Sequence, residues 1–519
     1  MKMKISCKPI AAAAALLLSG CMVGPDYHRP QVNVPATYSE LPGWTQAQPA
    51  DADGPKGAWW AGFNDPLLNE LEPQVAVSNQ TVAQDYANYQ EALAEVKVAR
   101  SALFPTIGVT GSGTRERAST GSTSSSFTRS VGSGAQIVNA GSLEGNVSWA
   151  PDLWGSVRRT IEENAATAQA SEATLANATL SEQIALATAV IDLRTSDANI
   201  DLLQATVKAY EHFLEVVSYQ DKYGTVAPSD VVTARTQLEN ARASLIALGI
   251  ARAQNAHAIA VLVGKNPEEL NIPHSAAMPT LPTVPVGVPS TILQRRPDIA
   301  TAERQMASEN ATIGIAIAAY YPTVSLSALD GFTQSPLGGL LHVANYVWSL
   351  GGSATETIFD GGERSGEVAA AKANYSAAVA NYRGTVLTAF EDVENDLSGL
   401  RILAEQADAL DTAVHDATHG TEIAFNEYQA GTVDYTTVAT AQATQLADQQ
   451  TALSVQQSRL LDAASLIGDL GGGWSDSQLH DPRNPDKLQA QPAAAAAAAS
   501  TPAAQTSSAV GQGAQPAVQ

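Results

Sequence analysis

At 519 residues the chain is long enough for several cores, yet aromatics make up only 6%. Alanine runs through every long polar segment, a composition that favours long, closely packed helices over a thick globular core. A formal net charge of −23 argues against nucleic acid and anionic lipid as partners.

The N-terminus reads as an address. Lys2, Lys4 and Lys8 precede an apolar run from Ile10 to Leu18, too short to span a bilayer as a helix and typical of a signal peptide. The run closes on Leu18-Ser19-Gly20-Cys21, which looks like a bacterial lipoprotein cleavage box. Residues 1–20 are therefore expected to be removed, leaving Cys21 as a lipid-bearing N-terminus with acyl chains on its thiol and amino group. Removal takes away three lysines and no acid, so the mature charge is −26. Cys7 leaves too, and the single remaining thiol cannot form an internal disulfide. Met22 rather than aspartate follows Cys21, which in similar lipoproteins implies export to the outer membrane. An ordinary secreted protein cut near Cys21 is the plainer alternative.

Residues 21–65 form an N-terminal arm, rich in Pro and Gln up to residue 58. A first repeat is expected over 66–264. Asp65 caps a helix with Pro66 in its first turn, and one helix is predicted from there to Leu103. Phe104-Pro105 turns it into a strand in which Ile107 and Val109 alternate with Thr106, Gly108 and Thr110. A second strand sets Leu143, Val147 and Trp149 opposite Glu144, Asn146 and Ser148. No proline lies between Pro151 and Pro228, so a helix from about Val157 to Tyr223 would reach on the order of 100 Å. Six prolines between 265 and 294 mark a linker.

The second repeat, 295–474, follows the same plan. Pro297 opens a helix with Ile299, Met306 and Ile313 on one face, and Pro322 ends it. Val324, Leu326 and Ala328 alternate with Thr and Ser, then Tyr346, Trp348 and Leu350 do the same. Another proline-free stretch runs from Pro336 to Pro482. The heptad-like seam of the first long helix (Leu186, Val190, Leu193, Ile200, Leu203, Val207, Tyr210) reappears 207 residues on, starting at Val393, Leu397 and Leu400. Both long helices end in the same turn signature, Gly224-Thr225-Val226 and Gly431-Thr432-Val433, and both return as helices. Residues 475–519, Ala-, Pro-, Gln- and Ser-rich, are expected to form a disordered tail.

Strands with one apolar and one polar or glycine face suit a membrane β-barrel, but about eight strands is the observed minimum. Either the sheet is small and soluble, or several chains contribute four strands each. The lipoprotein address and the long helices favour the second.

The segments RRPDIATAER and IGIAIAAYYPTVSLS resemble the outer-membrane factor family of TolC-like efflux channels, in particular the lipoprotein branch serving resistance–nodulation–division pumps. CMVGPDYHRP, WWAGFNDPLL, SWAPDLWGSVRR and YGTVAPSDVVTARTQL are similar to the corresponding family segments, and the match covers roughly residues 21–474. The resemblance implies a mainly α chain that forms a homotrimer. Its twelve-stranded membrane β-barrel continues as a long periplasmic α-helical barrel, girdled by an equatorial region. It implies a passive exit duct in the outer-membrane lipid, coupled through a periplasmic adaptor to an inner-membrane pump. A channel for type I protein secretion and a pore-less structural lipoprotein are the alternatives.

The same resemblance places the periplasmic gate and adaptor contact at the hairpin tips, on Tyr223, Gly224, Ser229, Asp230, Tyr428, Gly431, Asp434 and Thr440. A Tyr428 hydroxyl donating to a partner carboxylate could lock neighbouring hairpins together; the plain alternative for Asp230 is an exposed acid near a helix N-terminus. The chain departs from family members that carry arginine or acidic residues on the second hairpin, showing Val433, Thr437 and Thr440 instead. An acidic selectivity ring is thereby put in question, with Asp434 a partial substitute. His415 and His419, four apart on a helix, faintly resemble a zinc helix but lack the usual glutamate and a third ligand. No nucleophile–base pair is visible, and neither an enzymatic activity, a metal nor a cofactor is expected.

Overall fold

The structure is a computed structural model and describes residues 22–32, 34–35, 38–40, 58–118, 136–284, 292–335 and 338–483. The predicted signal, Cys21 and the tail beyond residue 483 lie outside them.

After a 3-10 turn at Trp59–Phe63, helix α1 spans Pro66–Ser78 and α2 spans Gln80–Ser101. Asp65 caps α1 as expected, its carboxylate accepting from the backbone N–H of Leu67 and Leu68 and also pairing with the buried Arg194 guanidinium. The single helix predicted from Pro66 to Leu103 is instead broken at Asn79. Its side chain caps α2 through the N–H groups of Thr81 and Val82, and its amide donates to Glu182 and to the Leu262 carbonyl. Strands β1 (Thr106–Ala118) and β2 (Gln136–Trp149) follow, then α3 (Ser156–Lys222) and α4 (Pro228–Leu262). A short helix α5 (Ile292–Arg295) leads into α6 (Pro297–Ala318), β3 (Thr323–Gln334), β4 (Tyr346–Thr355), α7 (Glu363–Gln429) and α8 (Tyr435–Asp469).

The duplication is visible element by element. Helices α2 and α6 both have 22 residues, α3 and α7 both 67, and α4 and α8 both 35. One pair of glycines shows how deep the repeat goes. Gly264 and Gly471 both take positive φ, +70° and +95°, and a Cβ on either would lie 2.1 Å from a carbonyl oxygen, that of Ser78 and of Arg295 respectively. In both repeats the return helix thus ends hard against the residue that precedes the cap of the 22-residue helix, where only glycine fits.

The four strands form one antiparallel sheet in the order β1-β2-β3-β4. Its register sorts the side chains. Ile107, Val147, Ala328 and Leu350 line up across one face, and Thr106, Ser148, Ser327 and Gly351 across the other. At the sheet's junction with the helices sit Phe104, Trp149, Trp154, Tyr320 and Tyr321. Trp154 stacks on Tyr321 at 4.9 Å and donates to the Pro322 carbonyl, and Trp149 donates to that of Leu103.

The main core lies at mid-length, where the roots of both helical hairpins meet. Leu68, Leu71 and Val75 pack with Leu186, Val190 and Leu193 of α3, Ile299 and Met306 of α6, Val386, Val393 and Leu397 of α7, and Leu460 of α8. The N-terminal arm is fastened here as well. Arg159, 1% exposed, donates to the carbonyls of Val23 and Gly24 and pairs with Asp26 and Glu162. The stretch 475–483, assigned to the disordered tail from composition, runs as a strap on α3, because Glu172 takes both the backbone N–H and the ring of His480.

Candidate functional site

Both hairpin turns are built alike. Gly224 and Gly431 follow the long helices at φ +71° and +73°, and no atom beyond the adjacent residues lies within 4 Å of either prospective Cβ, so backbone conformation rather than space calls for glycine. Thr225 then folds back, its N–H and hydroxyl both donating to the Gln220 carbonyl. Thr432 does the same to the Glu427 carbonyl. The Gly-Thr signature is therefore a helix C-cap, which satisfies carbonyls the long helices leave open.

The two tips share a small core of their own, in which Val217 and Ala234 of the first hairpin meet Ala424, Tyr428, Tyr435, Val438 and Ala439 of the second. Polar bonds cross at its edge. The Tyr428 hydroxyl donates to Gln220 Oε1 at 2.5 Å, that of Tyr435 to Gln237 Oε1 at 3.2 Å, and Gln237 Nε2 donates to the Ala439 carbonyl at 3.1 Å. The two tyrosine rings meet edge to face with centroids 5.7 Å apart. Burial, and then the nearby Asp230 charge, raise the Tyr428 hydroxyl above its ordinary range. Tyr435 is pushed up to about 12, mainly by burial and further by Tyr210, Tyr428 and Asp230. Both hydroxyls are accordingly donors at any physiological pH.

Of the residues expected here, Tyr428 sits at the centre. It bonds to a carboxamide of its own chain, however, and not to a carboxylate, because Gln220 is the group that the α3–α7 contact brings opposite it. Asp230 is half-buried and takes the Ser229 hydroxyl at 3.4 Å. Asp434 is exposed at the N-cap position of α8, and the hydroxyls of Thr436 and Thr437 hold it below the usual carboxylate range. Tyr223 is exposed, its ring 4.9 Å from that of Tyr219. The Thr440 hydroxyl is used on its own helix, donating to the Thr436 carbonyl. Gln220, Gln237 and Tyr435 were missed from the sequence, because each meets its partner across the turn or across the two hairpins and no local period links them. His415 and His419 are exposed, and among the described residues no group of three His, Cys, Asp or Glu could hold a metal ion.

The family model for outer membrane efflux proteins matches residues 71–265 and 288–472. The toluene efflux pump outer membrane protein TtgC of Pseudomonas putida is 31% identical over 470 residues, covering 89% of this chain and 95% of its own. The solvent efflux pump outer membrane protein SrpC, also of Pseudomonas putida, is 30% identical over 494 residues, covering 91% and 99%. The solved structure of the outer-membrane channel OprN superposes with a TM-score of 0.79 at 27% identity, over 88% of this chain and all of that one. The chain belongs to the outer membrane efflux protein family.

Proposed function

We propose that this protein is the outer-membrane exit duct of a tripartite efflux pump, conducting small apolar molecules passively from a periplasmic adaptor and an inner-membrane resistance–nodulation–division pump to the exterior. The observation that carries this reading is a four-stranded sheet, with β1 and β4 each paired on one side only, that leads directly into two 67-residue helices. Three chains closing their open edges give a twelve-stranded barrel with no unpaired edge, which is what a bilayer requires. The aromatic residues at the sheet–helix junction are suited to the headgroup level. Helix α4 supports the trimer too. It is long and apolar enough to cross a membrane by composition, yet Val232, Ile246, Ile250 and Val261 are exposed along it, and a neighbouring copy would cover them.

In this reading the hairpin tips are the periplasmic entrance and the adaptor contact, with Tyr428, Asp230 and Asp434 among the residues that hold or line it. Cys21 carries the lipid that anchors the N-terminal arm. Relatives named for toluene and solvent efflux support this cargo class. The test is complementation: expressed in a strain lacking its own outer-membrane efflux channel, together with the adaptor and inner-membrane pump of a toluene efflux system, the protein should lower toluene accumulation. Unchanged accumulation together with export of a protein substrate through an ABC transporter would assign it to type I secretion instead.

A further inference from the structure

The tip core is not the only place where the two hairpins face each other. About one helical turn up α8 from Val438 and Ala439, a cavity of about 330 Å³ opens between α3 and α8, lined by Leu202, Ala205, Tyr210 and Phe213 on one side and Gln442 and Leu446 on the other. Gln442 is 5% exposed, and neither its amide oxygen nor its amide nitrogen has a hydrogen-bond partner among the described residues. A buried amide left so is costly, and it points to a group that the chain itself does not supply. The neighbouring threonine hydroxyls are already used. Thr206 donates to the Leu202 carbonyl and Thr421 to that of Ala417, while Gln445 donates to the Thr418 hydroxyl.

We propose that this cavity is a binding site for small neutral molecules that join an apolar ring to a primary amide or lactam. Its volume lies at the small end of the ligand-pocket range. No charged side chain lines it, so an ion would lose hydration without compensation. The Gln442 carboxamide presents an acceptor beside a donor, which a second amide with the complementary donor and acceptor meets with two parallel hydrogen bonds. Rings of the ligand would lie against Phe213 and the aliphatic side chains. A second cavity of about 540 Å³ further along the same cleft shares Leu202 and Gln449 with this one, but it is also lined by Asp411 and Arg459, and neither of its carboxamides, Gln449 and Gln456, is buried like that of Gln442. All lining residues belong to one chain, so occupancy bridges its two hairpins directly above the tip core.

The test uses the full-length protein in detergent and 4-fluorobenzamide as the probe, followed by fluorine NMR. Binding to the parent should be saturable. Gln442→Leu, which replaces the amide by an apolar group of similar size, should weaken it at least tenfold. So should Ala205→Phe, which fills the cavity from an exposed position and leaves Gln442 untouched. The N,N-dimethyl analogue, which has lost its donor, should bind the parent at least tenfold less tightly. Absence of saturable binding overturns the proposal, as does equal binding to Gln442→Leu or of the dimethyl analogue.

Discussion

Glu72 lies in α1 with no exposed surface, and neither carboxylate oxygen has a hydrogen-bond partner among the described residues. Positions 65, 72 and 79 are seven apart: Asp65 meets Arg194 and Asn79 meets Glu182, both on α3, but Glu72 has no such partner among the described residues. Burial pushes its carboxyl up to about 9, so it is protonated at neutral pH. The sign follows from linkage. A carboxyl raised in the folded state contributes fully below its unfolded value, about 4.3, and the contribution is lost as pH rises towards about 9, at no more than ~1.4 kcal/mol per pH unit. Replacement by leucine removes the titration and keeps the apolar packing. Glu72→Leu should therefore raise the thermal midpoint more at pH 8 than at pH 5, followed by circular dichroism in detergent. Equal gains at both values would mean that Glu72 is ionised or solvated in the folded protein.

Among the elements, those marked by prolines and by period were readable: Asp65-Pro66 and Arg296-Pro297 start helices where expected, and each proline-free stretch contains a 67-residue helix. The break at Asn79 was not, because an asparagine in a helix-period run resembles any exposed polar position. The repeat could have revealed it. Asn79 and Arg296 are both helix caps 217 positions apart, the same offset as Pro105 and Pro322, so the proline that announces α6 also dates the start of α2. The tip bonds were hidden for another reason. Gln220 meets Tyr428 only through the packing of α3 against α7, and nothing local in either helix points to the other. The Asn79 cap can be tested on its own. Asn79→Ala removes two capping bonds and the contacts to Glu182 and Leu262, and should cost ~1–2 kcal/mol. Hydrogen exchange should quicken at the amides of Thr81 and Val82; unchanged protection there would show that α1 and α2 had fused into one helix.

In the whole molecule, the proposed function draws membrane affinity and closure of the duct from different parts. The apolar rows of the sheet would bind lipid without help from the acyl chains proposed for Cys21. Cys21→Ser is thus expected to abolish palmitate labelling while native mass spectrometry still finds three copies; loss of the trimer would make the lipid part of assembly. Closure depends on weaker interactions. Within each chain three hydrogen bonds join the hairpins at the tip, through Gln220, Tyr428, Tyr435, Gln237 and the Ala439 carbonyl. A neutral hydrogen bond contributes about 1 kcal/mol net, so if the tips are the gate, these bonds in three chains would hold it closed by roughly 10 kcal/mol or less. An adaptor that binds the open form more tightly by a similar amount could release it. The main core at the hairpin roots takes no part in those bonds, and the tubes should persist when the tips loosen. Tyr428→Phe combined with Gln220→Leu removes one bond per chain and leaves an apolar pair of similar shape. In planar bilayers the trimer of this variant should show at least a doubled single-channel conductance at unchanged helix content. Parental conductance from an intact trimer would mean that the closed end is held elsewhere, with contacts between chains the next place to look.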